Sequence, residues 1–196
     1  MSKICDFKNR ALAQLKGNWM QPVLLVFISG LIIGGVSPFA PISLLLTLPI
    51  GFGVAIALLG FYRGEKDNLL PKMFDPFNDY SRMLTTALLV YVYTMLWTLL
   101  FIIPGIIKGL SYTMTPYVLK DNPELSNNAA IDRSMAIMEG KKWKLFVLYL
   151  SFIGWFFLGI ISFGIGFFWI SPYLQLTVIA FYEEAKEEYE AKQAAA

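Results

Sequence analysis

Four side chains in this 196-residue chain have the type and setting to meet a ligand: Lys108, Tyr112, Arg133 and Gln175. Lys108 is the one charge in the apolar run 83–119. An ammonium at a helix centre in hydrocarbon costs about 2.5 to 3.5 kcal/mol, so it either snorkels to headgroups or faces a lipid phosphate or anionic solute. Gln175 follows Pro172 and Tyr173, where it can donate to carbonyls that the proline frees or form a polar site at a broken helix. Arg133, beside Asp132, either docks a partner or belongs to the solvated face of an interfacial helix. Tyr112, with Thr115, completes the polar set that a cavity between helices would touch. These are contacts for lipid or solute; none is a catalytic, cofactor or metal residue.

The absences exclude chemistry. With 0 histidines there is no imidazole base, proton shuttle or histidine metal site. Cys5 is the single cysteine, which rules out an internal disulfide and a cysteine cluster and leaves a small interfacial residue or a palmitoylation site. All 14 Asp and Glu residues fall outside the long apolar runs, whereas ion-coupled transporters hold an ionisable group near the bilayer midplane. No phosphate-binding loop or nucleophile elbow is present. The expectation is a protein that is not an enzyme, needs no cofactor and binds no nucleic acid.

The elements that would position these residues are three long, almost uncharged stretches, 22–62, 83–119 and 145–182. Roughly 20 helical residues cross a bilayer once, and a single rod of 37 residues, the length of 83–119, would be about 55 Å long. Each stretch therefore has to fold back. The expected fold is all-α and polytopic: one membrane domain of six transmembrane helices in three hairpins. The crossings fall near 22–36, 42–62, 83–103, 106–119, 145–161 and 164–182, with the fourth either crossing or re-entering. Hydrophobic residues make up 57% of the chain and charged ones 15%, well below the quarter or so usual in soluble domains. The polar segments 1–21, 63–82, 120–144 and 183–196 are each too short for a core of their own. The start lacks a secretory cleavage pattern, so no processing is expected.

Charge sets the orientation. Of 16 Lys and Arg residues, all but Lys108 precede, separate or follow the hairpins, and the positive-inside rule makes that side cytoplasmic. Both termini are then inside. The opposite turns, 34–41, 104–109 and 162–166, are rich in Gly and Pro. Two basic segments carry a helical apolar stripe: Ile4, Phe7, Ala11, Leu15 and Trp19 before the first hairpin, and Ile131, Met135 and Met138 before the third. Such helices can lie in the headgroup layer. Each ends in a glycine, Gly17 or Gly140, followed by a tryptophan, a loose repeat of interfacial helix plus hairpin. Asn122 or Ser126 is placed to cap the second, and the acidic tail from Glu183 is expected to carry the last helix into water. Gly30 and Gly34 permit close helix packing, within the chain or at a dimer face.

The run Ile102-Ile103-Pro104-Gly105-Ile106-Ile107-Lys108-Gly109-Leu110-Ser111-Tyr112, then Asp121-Asn122-Pro123-Glu124-Leu125-Ser126, Gly140-Lys141-Lys142-Trp143-Lys144 and Leu150-Ser151-Phe152-Ile153-Gly154-Trp155, resembles the bacterial integral membrane family catalogued as domain of unknown function 975. The ending, Gly164-Ile165-Gly166, Pro172-Tyr173 and Phe181-Tyr182, is similar too. The chain departs from the family's pattern at Ala129, often glutamate, and at Lys141, often histidine. The resemblance implies a small inner-membrane protein of unassigned activity and carries no catalytic residues with it. Two functions follow. One is a non-enzymatic protein acting through lipid or protein contacts in the envelope, its partners being membrane lipids and a second copy or another protein. The other is a small transporter or lipid-translocating protein with a cavity at Lys108, Tyr112, Thr115 or Gln175.

Overall fold

The structure, a computed structural model, describes residues 2–39 and 43–195. Among them there are α- and 3-10 helices and no strand. The α-helices are α1 (Ile4–Leu15), α2 (Met20–Val36), α3 (Ser43–Tyr62), α4 (Leu69–Lys72), α5 (Tyr80–Leu100), α6 (Ile102–Tyr112), α7 (Thr115–Asp121), α8 (Asn127–Ile137), α9 (Lys142–Leu150), α10 (Ile153–Ile161) and α11 (Phe167–Ala194). Pro41, expected in the first turn, lies outside the described residues.

Helix α1 opens where the Asp6 carboxylate accepts from the Lys3 backbone N–H at 2.8 Å, an anion in the first turn where the helix dipole favours it. It closes at Gly17, whose φ of +80° suits a residue without a Cβ. The chain then turns by 97° into α2. Phe7, Ala11 and Leu15 repeat every four residues and are completely buried. What covers them is α11, with the Phe7 and Phe181 rings 5.4 Å apart. The stripe expected to face lipid thus packs on protein. The same holds for α8, where Ile131 and Met138 are buried. Gly140, the glycine after α8, again takes a left-handed φ of +72°.

Helix α3 is the centre of the core, buried over most of its length from Ile50 to Phe61. At Gly53 an added Cβ would sit 1.9 Å from the Met73 carbonyl oxygen, so the glycine is what lets the turn after α4 press on α3. No such approach exists at Gly30 or Gly34, where a Cβ would meet nothing within 4 Å.

The second hairpin turns earlier than its Pro-Gly signal suggests. Helix α5 runs to Leu100, a single extended residue, Phe101 (φ −155°, ψ 132°), reverses the chain, and α6 starts at Ile102. Pro104 falls in the first turn of α6, where a missing N–H costs no hydrogen bond. Gly105 brings the helices together: a Cβ there would be 2.6 Å from the Thr98 Cα. The segment expected as a single crossing, 106–119, is divided between α6 and α7. Ser126 occupies the N-cap of α8 without a side-chain capping hydrogen bond, contrary to the expected cap. Between α10 and α11 the chain turns over 162–166, with Phe163 and Gly164 at positive φ, and α11 continues unbroken through Pro172.

Three helical segments are long and apolar enough to cross a membrane: Ser43–Tyr62, Tyr80–Leu100 and Lys142–Ile161. The bent pair α1 and α2, taken as one broken span, would make a fourth. These are the segments that meet that length and hydropathy among the described residues; α6 has 11 residues, and α11, at 28, carries the acidic tail.

Candidate functional site

The most connected polar group is Asp121, the last residue of α7 and only 8% exposed at its side chain. Arg63, just beyond α3, forks onto both carboxylate oxygens at 2.6 and 2.8 Å. Lys186 donates at 2.7 Å and the Tyr182 hydroxyl at 2.9 Å, both from α11. The Arg63 Nε reaches on to Glu183 at 2.7 Å. One carboxylate thereby ties α3, α7 and α11. Arg82 holds the end of α7 in place, donating to the carbonyls of Leu119, Asn122 and Leu125 at 3.0 to 3.2 Å. A cation at those carbonyls also meets the negative end of the helix dipole.

Burial opposes the charge on Asp121, but the hydrogen bonds from Arg63, Lys186 and Tyr182 outweigh it and hold its pKa at about 2, below the ordinary 3.8. Arg63 is pushed above its ordinary value, chiefly by its hydrogen bond to Asp121. A carboxyl whose folded pKa is depressed contributes stability in full above its unfolded value and loses it as pH falls toward the folded one. Melting temperature is therefore expected to drop between about pH 5 and pH 2, with roughly 2 kcal/mol at stake in this group. A pH series of thermal unfolding checks it: the Asp121→Asn variant should lack that component, and an identical slope in both proteins would refute it.

Further pairs extend the network along α11. Arg10 of α1 meets Glu184 at 2.9 Å, and Ser2 also donates to that carboxylate. Lys141 donates to the Ala185 carbonyl at 2.9 Å and meets Glu188 at 3.3 Å. Arg133 lies 3.9 Å from Glu190 and 6.0 Å from the centre of the Tyr189 ring. The acidic tail extends the last helix to Ala194, as expected, and several of its carboxylates pair with Arg10, Arg63, Arg133 and Lys141.

The four residues singled out by sequence do not converge. The Lys108 Nζ lies 5.2 Å from the centre of the Trp97 ring and 3.9 Å from the Met135 sulfur, with no carboxylate partner among the described residues. Tyr112 is buried one turn further along α6, its ring 6.4 Å from Tyr93. Arg133 faces the tail of α11 from α8, and Gln175 is half-buried in α11 without a hydrogen bond among the described residues. A cavity of 280 Å³ opens between α6 and α9, lined by Ile103, Ile106, Ile107, Leu110 and Phe146, with Lys142 and Trp143 at its edge. It includes none of the four.

Thr115, named for the same cavity, is fully buried, and its hydroxyl has no hydrogen-bond partner among the described residues. An unsatisfied buried hydroxyl costs about 1 to 3 kcal/mol, and valine has the same shape without it. Thr115→Val is expected to raise stability by about 1 kcal/mol in thermal unfolding; a loss of that size would mean that the hydroxyl is satisfied.

The members of the ionic network, Arg63, Asp121, Tyr182, Glu183 and Lys186, were not candidates by sequence. Their one signal is position. Arg63 and Asp121 lie at the ends of apolar segments, and Tyr182 and Glu183 straddle the end of another.

All-helical architecture, three or four helices of spanning length and an ionic network joining the helix ends define a class of helical proteins with large apolar surfaces. Within it the chain matches the family model described as protein of unknown function DUF975 over residues 42–189, and it belongs to that family. No curated protein and no solved structure matches it.

Proposed function

We propose that this protein is a multipass component of the bacterial cytoplasmic membrane that works through lipid or protein contacts and not by catalysis. In this reading the chain enters the bilayer in hairpins, both termini are cytoplasmic, and α6, whose Lys108 reaches Met135 of α8, does not carry the chain to the far side. The observation that carries it is the separation of charge from apolar surface. The ends of α3, α7 and α11 and Arg133 share one ionic network through Lys186 and Glu190, and the pairs Arg10–Glu184 and Lys141–Glu188 lie along the same stretch of α11. Large side chains without protein cover lie elsewhere: Leu99 on α5 is 79% exposed, Ile103 on α6 72% and Ile161 on α10 72%. Water would penalise these surfaces at about 25 cal/mol per Å², whereas lipid would not.

Single cysteines introduced into a Cys5→Ser background test the arrangement with a membrane-impermeant maleimide. In intact cells a cysteine at Ile165 should react and one at Ala129 should not; the reverse pattern would invert the protein, and labelling of both would end the hairpin reading. Extraction from native membrane followed by mass spectrometry tests the activity. Co-purifying lipid or a stoichiometric partner protein supports contact-based action, and protein recovered bare of both refutes it.

A further inference from the structure

We infer that the groove between α6 and α9 is a binding site for an anionic phospholipid, one acyl chain lying along the apolar floor and the phosphate resting on the Lys142 ammonium. This rests on the lipid-contact reading above and names its site. The floor, formed by Ile103, Ile106, Ile107 and Leu110 of α6 with Phe146 of α9, is wholly apolar, and its 280 Å³ admits part of an acyl chain. These residues follow spacings of three and four, so they form one stripe along α6.

The edge of the groove differs from its floor. Of the three lysines at the start of α9, Lys141 is held by the Ala185 carbonyl and Glu188, and Lys144 lies 5.5 Å from the centre of the Phe7 ring. Lys142 has no acidic or hydrogen-bonding partner among the described residues and lines the groove. Beside it Trp143 is 72% exposed, an aromatic group of the kind that settles at headgroup level. Because Lys141 is paired with Glu188 on the acidic stretch of α11, Lys142 stands where charged surface gives way to apolar surface. A phospholipid has the complementary order, a phosphate followed at once by hydrocarbon. A peptide helix would need a longer trough, and a free anion would leave the floor bare.

Native mass spectrometry of the full-length protein, released from nanodiscs of equal phosphatidylglycerol and phosphatidylcholine, tests the site. The wild-type protein should retain phosphatidylglycerol in preference. Lys142→Gln should reduce that preference about fivefold, the effect of one lysine near anionic lipid. Ile106→Trp, which fills the floor, should displace both lipids from the site. Lys16→Gln removes a cation remote from the groove and should change nothing. Melting temperatures equal to wild type show that the variants are folded. Preference unchanged in Lys142→Gln and Ile106→Trp overturns the groove site while leaving lipid contact intact elsewhere. Indiscriminate retention by the wild-type protein overturns the groove site alone, and absent retention overturns with it the lipid half of the proposed function.

Discussion

Asp121→Ala is expected to lower the stability of the folded protein by about 3 to 5 kcal/mol, the usual consequence of removing one partner from a buried ion pair. The wild-type carboxylate accepts four hydrogen bonds: two from Arg63 and one each from Lys186 and Tyr182. Without it, two partly exposed cations lose the anion they share, and a phenol loses its acceptor. Glu183 still receives the Arg63 Nε, so the loss is not complete. The sharper test is a reconstruction. Adding Arg63→Met and Lys186→Met to Asp121→Ala removes the stranded charges and should recover a large part of the deficit, because apolar replacements of whole buried ion clusters are often neutral. Thermal unfolding followed by size-exclusion chromatography reads both. A loss under about 1 kcal/mol in the single variant would mean that the cluster behaves as a solvated surface pair.

Gly53→Leu should be nearly as severe, for a steric reason. The first carbon of any side chain there would lie 1.9 Å from the Met73 carbonyl oxygen and 2.8 Å from its carbon. Both atoms belong to backbone, which cannot rotate aside as a side chain can. Overpacking typically costs about 1 to 3 kcal/mol, and a clash with main chain belongs at or beyond the top of that range. The comparison is made within α3 itself. Gly51→Ala meets nothing within 4 Å, and it exchanges a poor helix former for a good one. It should stabilise the protein by up to about 1 kcal/mol. Equal effects at the two glycines would show that α3 and the turn after α4 are not in contact.

Much of the fold was legible in the apolar runs, because a helix of uncharged residues leaves a long signal that no local detail disguises. The end of α2 at Val36, the turn over 162–166 and the left-handed glycines after α1 and α8 all follow from local chemistry. Phe101 did not. A bulky apolar residue in an apolar run bears no mark of a reversal, whereas Pro104 and Gly105 look like one. Their purposes are different: proline is tolerated in a first helical turn, and Gly105 admits Thr98 of the facing helix. The amphipathic stripe of α1 was visible, but what would cover it was not. A stripe states that something apolar lies opposite; only the assembled chain shows that it is α11. The extension of the last helix through the acidic tail was legible, but its partners were not, since Glu184, Glu188 and Glu190 find cations on elements far away in sequence. Asp121 escaped notice because a single acid at a helix end is ordinary until three donors converge on it.

The seating of α1 against α11 also fixes an order of assembly. Contacts such as Ser2 to Glu184 join residues 182 positions apart, so α1 leaves the ribosome long before the helix that locks it. At about 5 to 20 residues per second, Phe7, Ala11 and Leu15 stay bare for roughly 10 to 40 s of synthesis. During that interval a bilayer surface or a chaperone must shelter them, and a chain cut short before α11 would keep a greasy, unclasped amino terminus.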